Sequence, residues 1–488
     1  MNSQRTPVGS AEATHAPAPA PARVAVIGAG PAGVYAAHLL VDKHPAIVLD
    51  IIEQDPAPFG LIRYGVAPDH PRIKAVVDVL TQIMEEPRIR LIGNVRVGRD
   101  VTTADLSSRY TAVVAATGAQ MDRELPIPGV DLNGSFGAAQ FVSWFNGHPD
   151  APRLWQSLST ARTVGVIGAG NVSLDVTRIL ARPAHDLLST DIPDNVYAGL
   201  QASAIRDIHV FIRGGPAHAR FSPLELRELG DARGVRVVVD PRDLQLDEQS
   251  EKVLRANRAR RLVMSALERF AAQAHVSDAT QWDGDTRHVY MHFWQRPVRI
   301  DSQDDSGAVA SLTTERTTLA PDGSLVAVGQ PSVWQLDGIF RAVGYRSSAV
   351  EGIPFDEPTH TIRHVGGRVT DDCAQPVPGL YATGWAKRGP VGLIGHTKSD
   401  AAETVAALLD DLAAGLLPAS TNSEPLKNLL EERHVEHTTW AGWKRLDAYE
   451  KQLGQTHSFV RDRVKVVDRA EMVTQSSGNQ HKETSTPE

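Results

Sequence analysis

Two glycine clusters carry the first chemistry in this chain. Gly28-Ala29-Gly30-Pro31-Ala32-Gly33 spells G-x-G-x-x-G between an apolar run and a helix-forming run. Gly28 permits a tight turn, Gly30 lets backbone approach a pyrophosphate, and Gly33 lets a helix lie close on a sheet. The free N–H groups and positive dipole end of that helix would face the phosphates. Glu53 ends the next apolar run, 25 residues after Gly28, where an acid hydrogen-bonds a ribose 2′-hydroxyl. Gly168-Ala169-Gly170-Asn171-Val172-Ser173 repeats the arrangement about 140 residues later, with small Ser173 in the third position. No acid ends the strand that follows. Arg213 stands there instead, and a cation at that place attracts a 2′-phosphate that an acid would repel. This favours NADP over NAD at the second site.

Two dinucleotide sites in one chain point to flavin plus nicotinamide chemistry, in which the protein only orients the two rings. Cys373 is the sole cysteine. That excludes a CxxC redox pair, an internal disulfide and an iron–sulfur cluster held by four thiolates of the chain. It also points to a reducing, cytoplasmic compartment. Fifty basic residues against 58 acidic ones give a net charge of −8, which argues against a protein that lives on nucleic-acid phosphates. Residues 24–41 are almost uncharged and about as long as a membrane span, but Gly28, Gly30, Pro31 and Gly33 interrupt them. They read as strand, turn and helix, and no membrane span is predicted. No metal site is predicted either.

The elements that must hold these turns alternate along the chain. Strands are expected at Val24–Ile27, Ala46–Ile52, Tyr110–Ala116, Thr163–Ile167, Ile208–Ile212 and Gly338–Val343, with helices at Val34–Val41 and Val172–Ala181. Such alternation implies parallel sheets. The 488 residues suffice for two large domains. The expected fold is therefore α/β, with two Rossmann-like dinucleotide-binding domains. The FAD domain (23–121 and 346–473) is discontinuous, and the NADP domain (122–345) is inserted in it. The chain would cross between them at Asp122–Val130 and just after Tyr345. Residues 1–22, with their Ala-Pro repeats, and 474–488 read as disordered extensions. The stretch Pro241–Leu325 is charged and weakly periodic and suggests no clear element.

Longer motifs add a resemblance. The runs Gly60-Leu61-Ile62-Arg63-Tyr64-Gly65-Val66-Ala67-Pro68-Asp69-His70-Pro71 and Gly384-Trp385-Ala386-Lys387-Arg388-Gly389-Pro390-Val391-Gly392-Leu393-Ile394-Gly395 go well beyond a glycine pattern. With Gly168–Leu180, Leu224–Leu229 and the late Arg463-Val464-Lys465, the chain resembles the adrenodoxin reductase family of ferredoxin–NADP reductases from Ala22 to about Val473. The resemblance implies FAD against Ala32, Glu53, Leu61 and Val97, with Trp385, Gly392, Leu393 and Ile394 near its ring. It implies NADP against Arg123, the turn Ala169–Val172, Arg213, Glu225 and Gly392. It makes His70 and Glu228 a charge-coupled pair at the flavin–nicotinamide junction. One departure stands out. The family has two consecutive arginines before Gly-Pro, and here Gly214 takes the place of the second.

Read from the residues alone, Gly389–Gly392 leads into a helix starting near Thr397 or Ser399, whose N-terminus would stabilise negative charge on a reduced flavin. Trp385 either edges that ring or packs in a core, and a lone His70 in a Pro-bounded loop is more often a surface histidine than a catalytic one. The expected activity is electron transfer from NADPH through FAD to a ferredoxin-type iron–sulfur protein. The alternatives are another NADPH-dependent flavin enzyme, such as a quinone reductase or monooxygenase, and a nucleotide-sensing flavoprotein. For an acidic ferredoxin the docking face would be the basic run Arg255, Arg258, Arg260 and Arg261.

Overall fold

Runs of buried aliphatic residues place the strands. Arg23–Ile27, Val48–Ile52 and Ala112–Ala115 are buried on both faces, which suits parallel strands covered by helices on either side. The computed structural model describes residues 22–276, 286–303, 307–392 and 395–478. The first sheet has seven strands, in the order His364–Val365, Arg368–Thr370, Pro376–Ala382, Ala112–Ala115, Arg23–Ile27, Val48–Ile52, Ile89–Ile92. From Pro376–Ala382 onward its neighbours are parallel. The late strand thus returns to a sheet begun more than 250 residues earlier, as the expected discontinuous fold requires.

The second sheet has six strands, in the order Ser135–Gly137, Gly338–Arg341, Thr163–Ile167, Asp207–Ile212, Arg287–Phe293, Val235–Val239. All its pairings are parallel. The two chain crossings are joined to each other. Met121–Asp122 and Tyr345–Arg346 form a two-stranded antiparallel ribbon, so the second unit hangs from the first by a paired hinge. Each sheet has its own core. Phe141, Trp144, Trp155 and Phe340 fill the second, while Leu40, Leu49 and Leu408 pack on one face of the first.

Three expectations need correction. Pro241–Leu325 does contain regular structure: helices Glu248–Ala256 and Arg258–Val276, the strand Arg287–Phe293, and an antiparallel layer built on Gln295–Ser302 and Val309–Leu319. Much of its charge lies on the exposed faces of the two helices, not on irregular chain. The tail read as disordered from Thr474 is helical as far as Ser477, in the helix Arg469–Ser477. Asp468 caps that helix, and Met472 and Ser476 bury its inner face. The helix after the Trp385 loop starts at Gly395, ahead of the expected Thr397 or Ser399. Among the described residues, no helix is long and apolar enough to cross a membrane. Residues 1–21 and 479–488 lie outside the described residues.

Candidate active site

Both glycine turns are built by close backbone approach. Gly28 has φ +107°, and a Cβ there would lie 2.5 Å from the Ala116 carbonyl oxygen. A Cβ on Gly33 would lie 2.0 Å from the Gly28 carbonyl oxygen, so only glycine lets the helix Pro31–Lys43 seat on its strand. Gly30 differs: a Cβ there would meet nothing within 4 Å, so its backbone faces open cleft at the helix N-terminus. The second turn repeats the scheme. A Cβ on Gly168 would lie 2.4 Å from the Ala342 carbonyl oxygen, and one on Gly170 would meet nothing within 4 Å. Ser173 is buried and donates to the Gly170 carbonyl at 2.6 Å, so a small hydroxyl does the packing of the third glycine.

The two turns open onto one continuous cleft of about 1930 Å³. Gly28, Gly30, Ala32, Glu53, Leu61 and Val97 line it from the first unit. Arg123, Gly168, Ala169, Gly170, Asn171, Val172, Arg213, Gly214 and Glu225 line it from the crossing and the second unit. His70, Trp385 and Gly392 line it as well. Gly33 and Glu228 are not in its wall, and Leu393 and Ile394 lie outside the described residues. Trp385 is half-buried beside Tyr345 of the hinge ribbon, with ring centroids 6.4 Å apart, so it belongs to the cleft and not to a core.

The polar groups of the first turn suit a dinucleotide. Glu53 accepts the Ala29 N–H at 2.8 Å and the Asp55 N–H at 3.1 Å, which fixes the turn and leaves each oxygen a further lone pair. Burial and the neighbouring Asp55 push its carboxyl up to about 7. Thr117 Oγ1 lines the cleft, is buried, and has no hydrogen-bond partner among the described residues. These residues fit a bound FAD. In the second turn, Asn171 Oδ1 accepts the Ser222 N–H at 2.8 Å and ties the turn to the N-cap of helix Pro223–Gly230.

His70 sits in a larger cluster than the expected pair. Its Nε2 lies 3.0 Å from Asp175 and 2.9 Å from Glu225, whereas Nδ1 is 3.4 Å from Glu228. Burial and Arg178, 2.5 Å away, oppose a charge on the ring. The hydrogen bonds to Asp175 and Glu225 outweigh them and push it up to about 10. Arg178 is itself held by Asp69, Asp175 and Glu225, and Arg182 also reaches Asp69. Against its burial, these arginines keep Asp69 down to about 2. Glu225 is thus bound to protein cations while it lines the cleft.

Known proteins are similar to this chain over most of its length. Residues 22–210 match the pyridine nucleotide-disulphide oxidoreductase family. The NADPH-ferredoxin reductase FprA of Mycobacterium tuberculosis is 37% identical over 93% of this chain and 98% of its own length. The mitochondrial NADPH:adrenodoxin oxidoreductase of Arabidopsis thaliana is 37% identical over 91% of this chain and 93% of its own. This chain belongs to the adrenodoxin reductase family of ferredoxin–NADP reductases. The structure of M. tuberculosis FprA in complex with NADPH superposes with a TM-score of 0.84 at 35% identity, covering 94% of this chain and all of that one.

Within this adrenodoxin-reductase-type site, sequence reasoning missed Asp175, Arg178, Asp69 and Thr117. Asp175 and Arg178 did leave a signal: an acid and an arginine three residues apart on the helix that opens at the second glycine turn. The disulphide chemistry after which that broad family is named has no pair of thiols here, since Cys373 is the only cysteine and is exposed.

Proposed function

We propose that this chain is an FAD-dependent ferredoxin–NADP(+) reductase that takes a hydride from NADPH and passes electrons singly to a ferredoxin-type iron–sulfur protein. The observation that carries this reading is the single cleft onto which both dinucleotide turns open. Bound FAD supplies the two-electron to one-electron conversion. Everything else is done by the chain's own residues. The Gly28–Gly33 turn and Glu53 hold FAD, and the Gly168–Ser173 turn and Arg213 hold NADP. We assign residues 23–121 and 346–473 to the FAD domain and 122–345 to the NADP domain.

At the junction, the imidazolium of His70 and the acids around it position the nicotinamide end. They act as positioning residues, because hydride transfer needs no protein proton donor in its first step. The N-terminus of helix Gly395–Ala413 meets the cleft at Gly395 and Thr397, where its dipole favours negative charge on a reduced ring. Trp385 flanks the same place. We place the reaction in the cytoplasm, on the support of a single exposed cysteine. Steady-state reduction of candidate ferredoxins, with NADPH and NADH compared, tests the whole reading. A protein that holds FAD but reduces no one-electron acceptor with either nucleotide would overturn it.

A further inference from the structure

Arg213 offers a 2′-phosphate only one side-chain cation at its strand end, since Gly214 beside it supplies backbone alone. The space at position 214 is bordered by a different side chain. A Cβ built on Gly214 would have only His218 Cβ, at 3.9 Å, and Leu325 Cδ1, at 4.0 Å, near it. His218 ends the short turn Pro216–His218, is half-buried, and lines the cleft together with Arg213 and Gly214. Its Nδ1 is shut off from solvent and has no hydrogen-bond partner among the described residues. A buried polar atom without a partner in a cleft wall is suited to a ligand. A half-turn of the ring about Cβ–Cγ exchanges the places of Nδ1 and Cδ2, so this nitrogen can take either edge of the ring. From behind, Arg260 of helix Arg258–Val276 donates to the Ala217 carbonyl at 3.2 Å and adds positive charge to the same corner. Asp247 is the acid whose charge reaches the ring, and its carboxylate is taken up by the Ser250 N–H and hydroxyl.

We propose that His218, backed by Arg260, is a second specificity-determining residue for the 2′-phosphate of NADP(H), and that the chain takes up a proton as it binds the nucleotide. The inference rests on the reading of Arg213 as the 2′-phosphate partner. In the free protein, burial and then Arg260 hold the ring below its ordinary 6.5, so it is neutral at neutral pH. A phosphate dianion beside it favours the imidazolium and raises that value. The added affinity is therefore full below the free-ring value and is lost as pH rises through the bound value. Protonation of the phosphate itself, near pH 6, works in the opposite direction but is common to every variant.

Calorimetry on the FAD-loaded protein reads this directly, with adenosine 2′,5′-bisphosphate and 5′-AMP as probes that differ only in the 2′-phosphate. In the wild type, the Kd for 5′-AMP divided by the Kd for the bisphosphate should rise as pH falls from 8.5 to 7, with proton uptake visible as a buffer-dependent heat. His218→Gln should cut the ratio roughly ten-fold at pH 7 and abolish the uptake. His218→Lys should keep the ratio and lose its pH slope. A His218→Gln protein with the wild-type ratio and slope would overturn the proposal. Arg213→Ala separates the two levels of the argument. A ratio lost in Arg213→Ala but intact in His218→Gln sinks the role of His218 alone, and a ratio intact in both also sinks the reading of this strand end.

Discussion

His70 Nε2 and Asp175 Oδ1 meet at 3.0 Å across the seam between the two nucleotide-binding units, although 105 residues separate them in the chain. With Glu225 at 2.9 Å, they hold an imidazolium against the wall of the cleft. The sign of the pH effect follows. His70 is raised to about 10, so its contribution is complete below the ordinary value of 6.5 and is lost only as pH rises through about 10. The wild-type ring should stay charged from pH 6 to 9, as read by its NMR ring-carbon shifts. Asp175→Asn should bring its titration down into that range and make the rate of flavin reduction by NADPH pH-dependent there. A wild-type ring that titrates near 6.5 contradicts the seam described here.

Gly30 and Gly33 should fail in different ways. A side chain on Gly30 has room in the protein but projects into the space proposed for the FAD pyrophosphate, so Gly30→Val should fold and emerge colourless. Gly33→Val would set its Cβ 2.0 Å from the Gly28 carbonyl oxygen and should fail to accumulate as folded protein. Far-UV circular dichroism with the 450 nm to 280 nm absorbance ratio distinguishes the two. Full flavin occupancy in folded Gly30→Val would remove the first turn from the cofactor site.

These turns were legible because all their constraints are local. A tight turn, an open backbone and a close helix fall within six residues, and the spacing reports them. Strand centres were legible for the same reason, through short runs such as Thr163–Ile167. The seam was not. Asp175 and Arg178 look like an ordinary helical i,i+3 pair until the fold brings Asp69 and His70 against them. The helix Arg469–Ser477 was missed because its residues are mostly polar, and its order depends on Asp468 and on Arg445 holding the Ser476 carbonyl.

The buried pair of Arg63 and Glu450 should be a weak point for stability. Two hydrogen bonds, at 3.0 and 2.5 Å, join them, and Glu450 also accepts the Val466 N–H at 3.0 Å. Glu450 is fully buried, and its carboxylate raises the pKa of Arg63 against the cost of burial. Removing one partner of such a pair leaves an uncompensated charge and costs about 3–5 kcal/mol. Glu450→Ala should lower Tm and release flavin at a lower temperature than the wild type, both read in one fluorescence melt. An unchanged melt would mean that Arg63 finds water or another acid.

Gly214 also sets up a gain-of-function test. It does not sit at positive φ, and a Cβ there makes only ordinary contacts, so an arginine can be placed without backbone strain. Gly214→Arg would add a charge-assisted hydrogen bond, worth about 1.5–3 kcal/mol, or roughly one to two decades in discrimination. The kcat/KM ratio for NADPH over NADH should rise, mainly through a lower KM for NADPH. Arg213→Ala should move the ratio the opposite way. If neither substitution moves it, other residues read the 2′-phosphate.

The basic run on the second unit offers the last test, now narrower than its sequence suggested. Arg255 pairs with Glu251, Arg260 is bound to the Ala217 carbonyl, and Arg261 donates to the carbonyls of Leu254 and Arg255. Arg258 is exposed at the start of its helix and has no such bond among the described residues. A cation that is not already paired contributes most to steering an acidic partner, because its field is not cancelled nearby. The whole chain carries −8, so any attraction of an acidic ferredoxin must be local. Arg258→Glu should raise the KM for ferredoxin several-fold at low salt and flatten its dependence on ionic strength, because screening acts on the charge that has been reversed. Reduction of a small dye by NADPH should not change. If ferredoxin kinetics are also unchanged at every ionic strength, the partner docks elsewhere, and the run serves as a solvated helix face.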